Sequence, residues 1–195
     1  MAQKGQLTTS DYLPMEEFRK LLNGLHKDRL YNWEAYCKIS YCTAFRVSDV
    51  RTTKWQDILA KDEFIKTEQK TQKTRIVKLN QEIAQNISQM YDLVGTPDPK
   101  LSIICNTHTG EPFSREYINR KLKYFRIRYQ LQIKRFSTHS FRKTFARTTF
   151  EANGSTTEAL FLIQKILNHR SPQTTLTYMG YVQDDINKIY DSLHF

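Results

Sequence analysis

From Met15 to Leu167 the apolar residues recur mostly every three or four positions, the spacing of helices that each lay one face on a shared core. One stretch breaks that rhythm clearly, where EFIKTEQ and TRIVKLN read as two strands joined around the basic turn KTQK. A chain patterned this way is expected to fold as a mainly α domain with a small antiparallel β-sheet, an α+β arrangement. Its 195 residues, 39% of them apolar, suffice for one such domain with its own core.

The same periodicity predicts the elements one by one. Pro14 at a first-turn position, Glu16 and Glu17 behind it, and Met15, Phe18, Leu21 and Leu22 predict a first helix ending near Gly24. Tyr36, Ile39, Thr43, Val47 and Val50 predict a second, running on through Arg46. Beyond the hairpin, Ile83, Ile87, Met90 and Val94 mark a helix closed by the turn at 95–99, and LSIICN reads as a short strand or extended segment. Ser114 is placed to cap a helix striped by Ile118, Leu122, Phe125 and Tyr129. Thr138 or His139 precedes a helix that sends Phe141 and Phe145 to the core. Ser155 with Glu158 reads as a capping box for a helix that buries Leu160, Ile163, Ile166 and Leu167 and ends at Asn168. Ser171 and Pro172 open a short helix through Tyr178, and Ile186, Ile189, Tyr190 and Leu193 stripe a terminal one. Residues 1–11 are polar and read as an arm or linker remnant, leaving 12–195 as the domain.

Thirty Lys and Arg against twenty Asp and Glu give a formal charge of +10, which favours a polyanionic partner such as nucleic acid. That charge is dense on the helix after Ser114, where Arg115, Arg120, Lys121, Lys123, Arg126 and Arg128 surround the apolar stripe as candidate DNA-backbone contacts. Cys37, Cys42 and Cys105 form no CxxC pair and no Cys/His ligand spacing, so a disulfide scaffold or structural zinc is not expected. No apolar run is long enough to cross a bilayer and the N-terminus lacks a signal peptide's apolar stretch, so the expected setting is cytoplasmic. There is no Gly-rich phosphate loop and no carboxylate cluster at metal spacing, so neither ATP nor any other cofactor nor a metal is expected.

The polar residues of the last third suggest a phosphate site with its own nucleophile. THSFRKTF puts His139 and Arg142 on one helical face, LNHRSPQTTLTY puts His169 at a helix exit, and Tyr178 follows on the next short helix. Guanidinium groups donate paired hydrogen bonds to phosphate oxygens, imidazole titrates near neutrality, and a tyrosine hydroxyl can attack phosphorus. Upstream, Arg46 supplies a second guanidinium, with Asp49 three residues on as a carboxylate to orient it, and the hairpin turn carries Lys70 and Lys73. Taken singly, each signal is weak. An ion pair on a solvated face, turn lysines in water or a capping histidine would each be ordinary.

In this order and spacing, TAFRVSDV, a hairpin lysine, HSFR, LNH and the following Tyr resemble the tyrosine recombinase (phage integrase) family over nearly the whole chain, and most resemble integrases of phages and conjugative or mobilisable elements. The resemblance implies the catalytic-domain fold of that family. It also implies a site-specific recombinase that breaks and rejoins DNA through a covalent 3′-phosphotyrosine, using Arg46, Lys70, His139, Arg142, His169 and Tyr178. Lys70 falls at the family's lysine, with Lys73 as the alternative and as a DNA contact. The family pattern varies at Phe141, commonly leucine, at Lys143, commonly a second histidine, and at Asn168, commonly glycine. Relatives also carry an N-terminal helical domain that closes around DNA, for which this length leaves no room, so weak DNA binding by this chain alone is expected. Partners implied are double-stranded DNA at a specific site, three further protomers on synapsed DNA with a monomer when free, and accessory DNA-bending proteins. Two other readings stay open: relaxation of one duplex in the manner of a type IB topoisomerase, and a DNA-binding module without catalysis.

Overall fold

The computed structural model describes residues 10–181 and 190–193. Eight α-helices, a 3-10 turn (Trp55–Asp57) and one hairpin occupy these residues: α1 (Met15–Lys27), α2 (Tyr31–Thr43), α3 (Val47–Val50), β1 (Glu63–Thr67), β2 (Thr74–Lys78), α4 (Gln81–Leu93), α5 (Arg115–Arg128), α6 (Thr138–Ala152), α7 (Thr157–Leu167) and α8 (Pro172–Met179). This is the mainly helical α+β arrangement that the patterning predicts. Most of the terminal helix expected from Ile186 and Ile189 onward, like residues 1–9 of the expected arm, lies outside the described residues.

Two hydrophobic clusters hold the elements. The larger joins α1, α2, α4, α5 and the start of α6 through Leu21, Leu25, Tyr36, Ile39, Met90, Leu122, Phe125 and Phe141. Aromatic contacts set its geometry: Trp33 stacks on Phe113 and meets Tyr36 and Phe125 edge-on, and Phe141 meets Phe18, Tyr36 and Phe136 edge-on, all with centroids 5.4–6.3 Å apart. The smaller cluster joins α6, α7 and α8 through Ala146, Phe150, Ile163, Leu167, Tyr178 and Met179, and it includes Ala44 from the end of α2. α6 faces both clusters. Its entry is therefore fixed from two directions, and His139 and Arg142 sit there.

Several boundaries differ from the sequence expectation for identifiable reasons. α1 runs through Gly24 to Lys27, because Gly24 is there for close approach rather than to end the helix: a Cβ would sit 2.5 Å from Cδ1 of Tyr129. The expected second helix breaks after Thr43. Ala44 takes a left-handed conformation (φ 50°), Thr43 Oγ1 turns back to the carbonyl of Ile39, and a new single turn begins at Val47. α6 begins one residue early, with Ser137 as its cap, so Thr138 and His139 lie in its first turn. α7 is capped by Thr156, whose hydroxyl accepts from Ala159 N, while Ser155 is left-handed. The two described residues just before Tyr12 are tethered to the core. The carbonyl of Ser10 accepts from Lys143 Nζ at 2.7 Å, and Asp11 pairs with Arg135 through both backbone and carboxylate.

The hairpin pairs Phe64 with Val77, Ile65 with Ile76 and Lys66 with Arg75. Period-two alternation turns Phe64 inward, fully buried against Phe45, and leaves Ile65 and Ile76 on the outer face. LSIICN forms isolated bridges, Lys54 to Ser102 and Cys105 to Pro112, and no continuous strand.

Candidate active site

The break at Ala44 builds the first corner. Arg46 follows it in extended backbone (φ −72°, ψ 155°) as the residue before α3, so its side chain leaves the chain at the junction of the two clusters. The Ala44 carbonyl, freed from helical bonding, accepts from Arg142 Nη1. Arg142 Nη2 donates to the carbonyl of Leu167 at 2.6 Å. One buried guanidinium thus ties the stretch carrying Arg46 to the end of α7, where His169 emerges.

Asn168 ends α7 in the left-handed conformation (φ 52°), which accounts for an asparagine where glycine is common, since its short amide side chain tolerates that region. The turn brings His169 over the next helix. Its Nδ1 shares a hydrogen bond with Thr175 Oγ1 at 3.1 Å, and its ring meets that of Tyr178 edge to face at 4.9 Å. Ser171 caps α8 by accepting from Thr174 N, with Pro172 in the first turn as the sequence predicts. Tyr178 is only 8% exposed and forms part of the smaller core, so its phenol points inward. The Lys143 ammonium lies over its ring, 5.2 Å from the centroid.

The electrostatics show these groups sharing one field. Burial holds the His169 imidazole down to about 4, with the charges of Arg142 and Arg46 adding to the effect. His139 is also lowered, by burial and then by Arg142, Arg115, Lys143 and Arg46. Both rings are therefore neutral at pH 7. Burial pushes the Tyr178 phenol up to about 12, and Arg142 and Arg46 oppose that rise. A weak hydrogen-bonding pull from Arg142 acts in the same direction, yet Tyr178 Oη meets no partner in good hydrogen-bond geometry among the described residues. Burial lowers Arg142 to about 10, still charged at neutral pH. Arg46, His139, Arg142, His169 and Tyr178, spread over more than a hundred positions, meet around a single region.

The hairpin lysines are placed differently from one another. Lys73 Nζ reaches Asn168 Oδ1 at 3.5 Å, against the residue next to His169, whereas Lys70 is exposed on the turn and makes no hydrogen bond or ion pair among the described residues. Asp49 also departs from its expected role. Because Arg46 lies outside the helix, the same-face spacing that would bring the two together does not apply. Asp49 is fully buried and accepts from Gln69 N at 2.9 Å through Oδ1, while Oδ2 has no partner. The carboxylate on Arg46 is Glu68, at 2.5 Å. Glu68 also receives Arg75 and Thr71, at 3.1 and 2.8 Å. Sequence reading missed this pair. The residue between β1 and its turn carried an acidic side chain beside two lysines, and its target lay too far along the chain for any local spacing to reveal.

The basic helix α5 divides into two halves. Its first half lies toward the site, with Asn119 Oδ1 accepting from Thr138 N at 3.0 Å and Arg115 acting on His139. There Arg115 and Arg120 are exposed, as is Lys123 just past the middle, and Arg120 and Lys121 lie over Tyr117. The last turn serves the fold instead. Arg126 donates to the carbonyls of Ile133 and Lys134, and Arg128 grips the carboxylate of Asp28 with two donors. These two cations are tied to partners on other segments of the chain, whereas among the described residues Arg115 pairs only with its exposed neighbour Glu116, at 3.4 Å.

Among the described residues no three His, Cys, Asp or Glu side chains gather as metal ligands, and no helix is long and apolar enough to cross a membrane. The chain is 28% identical over 148 residues to the probable integrase/recombinase YoeC of Bacillus subtilis (strain 168), covering 76% of this chain and 77% of that one. It is also 28% identical over 193 residues to the tyrosine recombinase XerD of Staphylococcus saprophyticus, covering 94% of this chain but 62% of the relative. Among solved structures it superposes on the XerA recombinase with a TM-score of 0.70 at 22% identity, over 98% of this chain and 68% of that one. The lambda integrase catalytic core matches with a TM-score of 0.60 at 18% identity, over 83% of this chain and 93% of that one. The model of the phage integrase family matches residues 11–184. With that match running from Asp11 through the short helix that carries Tyr178, the chain belongs to the phage integrase family.

Proposed function

We propose that this chain cleaves and rejoins DNA strands through a covalent 3′-phosphotyrosine at Tyr178, in site-specific recombination that integrates or excises a mobile element. The observation that carries the reading is the Tyr178 ring held against His169, within the field of two guanidiniums that no purely structural core would need.

A phosphodiester gains negative charge on its equatorial oxygens as it becomes pentacoordinate, and Arg46 and Arg142 supply fixed donors for that charge. Arg142 spends two of its five N–H donors on carbonyls, leaving three for phosphate. In the tautomer whose Nδ1 accepts from the Thr175 hydroxyl, His169 presents Nε2–H as a further donor. Tyr178 Oη forms a bond to phosphorus and the bond to the 5′ oxygen breaks. The phenol proton passes to His139, which is neutral and so able to accept it. Lys70 gives the departing 5′ oxygen its proton, with Lys73 beside Asn168 as the alternative donor. Attack by a 5′ hydroxyl of a second duplex reverses the steps and releases Tyr178, with no energy cofactor consumed.

The partner is double-stranded DNA at a specific site, gripped along the exposed half of α5 and the hairpin turn. Four protomers on synapsed DNA, accessory DNA-bending proteins and a cytoplasmic setting complete the reading. The test uses a pool of short nicked duplexes with randomised cores, incubated with the protein and denatured. A protein–DNA adduct that disappears in Tyr178→Phe is expected, and sequencing the recovered DNA defines the site. DNA binding with no adduct in the wild type would instead make this a module without catalysis. Relaxation of supercoiled plasmid by a protein that never assembles as four would point to one-duplex chemistry.

A further inference from the structure

Glu68 is a carboxylate with 1% exposure in a strongly basic site, and it is held from several sides. Thr71 Oγ1 donates to Oε2 at 2.8 Å and Arg75 Nη1 to Oε1 at 3.1 Å. Arg75 is itself anchored, since Nη2 donates to the carbonyl of Thr43 at 2.9 Å and its guanidinium lies 4.3 Å over the Phe45 ring. The fixed carboxylate then accepts from Arg46 Nη1. A second tether runs alongside, from Gln69 N to Asp49 Oδ1. The turn carrying Lys70 and Lys73 is thus bolted twice to the short segment carrying Arg46.

We propose that Glu68 is a positioning residue that locks the Arg46 guanidinium to the lysine-bearing turn, so that phosphate clamp and proton donor are set as one rigid unit. The inference rests on the recombinase reading above. Two features favour positioning over a carboxylate that merely occupies the phosphate's place. Among the described residues Glu68 engages only Nη1 of Arg46, so Nε and Nη2 keep their donors for a ligand. Thr71 and Arg75 would also hold Glu68 where it is whether or not phosphate arrived. Burial raises the Glu68 carboxyl, but the hydrogen bonds from Thr71 and Arg75 and the charges of Arg46 and Arg75 outweigh it, so the group stays ionised at neutral pH.

Glu68→Gln keeps the shape and removes the charge, and Thr71→Val removes one holder as a gentler second variant. On a duplex recovered from the randomised pool, Glu68→Gln is expected to slow single-turnover adduct formation about 10- to 100-fold, the usual cost of losing a group that orients a functional side chain. DNA affinity should stay within about twofold, because the phosphate contacts themselves remain. Thr71→Val should shift the rate in the same direction by less. Nitrogen-15 relaxation of the Arg46 Nε–H, measured without DNA, should report an ordered side chain in the wild type and a mobile one in Glu68→Gln. An equally ordered Arg46 in that variant, or an unchanged adduct rate, overturns the proposal. A faster rate would make Glu68 a competitor of phosphate and overturn it as well. If the wild type gives no Tyr178-dependent adduct, the recombinase reading falls, while the relaxation measurement still decides whether Glu68 positions Arg46.

Discussion

Replacing Tyr178 by Phe should abolish adduct formation and at the same time stabilise the protein. The ring packs in the α6–α7–α8 cluster at 8% exposure, and its hydroxyl is buried without a partner among the described residues. An unsatisfied buried polar group costs about 1–3 kcal/mol, and phenylalanine removes it while keeping the ring. A gain of about 1 kcal/mol is expected, which for a domain of this size raises Tm by about 2–4 °C. The proton adds a second signature. The unfolded chain releases the phenol proton near 10 and the folded chain only near 12. Stability from this group is therefore intact below pH 10 and lost as pH rises through 12. By pH 11 the wild type should have lost about 1.4 kcal/mol that the variant keeps. Urea unfolding of both proteins at pH 8 and pH 11 checks this, with other tyrosines and lysines cancelling in the difference. A variant less stable at pH 8, or a gap that does not widen at pH 11, would refute the account of the hydroxyl.

Other outcomes follow from the same geometry. In DNA-free protein, the His169 ring should titrate near 4 by NMR, and because its folded value lies below the unfolded one, its contribution to stability should fall as pH drops from 6.5 toward 4. A midpoint near 6.5 would show the ring to be solvated. Arg128→Ala should lower Tm and leave the salt dependence of DNA binding unchanged, since Asp28 already holds that guanidinium, whereas Arg115→Ala, Arg120→Ala and Lys123→Ala should each reduce the slope of log K against log salt by about 1. Gly24→Ala should destabilise by about 1–2 kcal/mol in urea unfolding despite alanine's better helix propensity, because the new methyl meets the Tyr129 ring. Lys70→Ala should stall cleavage of an ordinary phosphodiester but cut DNA whose leaving 5′ oxygen is replaced by sulfur, which departs without a proton; rescue of Lys73→Ala instead would assign the role to the other lysine.

Local features of the chain were legible in its sequence, and long-range ones were not. Helix existence was legible because amphipathic periodicity is a local consequence of burying one face, and the stripes through Ile118, Leu122 and Phe125 and through Ile163 and Leu167 do lie in the core. Caps of the form Ser114 and Ser171–Pro172 were equally local. The break at Ala44 was not legible. Thr43, Val47 and Val50 keep helical spacing across it, and the carbonyl it frees is satisfied by Arg142, almost a hundred residues away. The Arg46–Asp49 pairing failed for the same reason, since it assumed a continuous helix.

What the sequence by itself determined was an inventory and an order: five of the polar groups that meet at the site, on elements whose type follows from periods of two and three to four residues. Which carboxylate grips Arg46, which cations of α5 remain open to solvent, and that Tyr178 lies inward with its hydroxyl unpaired were decided only by tertiary structure. The physical reason is that hydrogen bonds and burial act over a few ångströms in space, whereas a pattern in the chain reports only what neighbours along the backbone require.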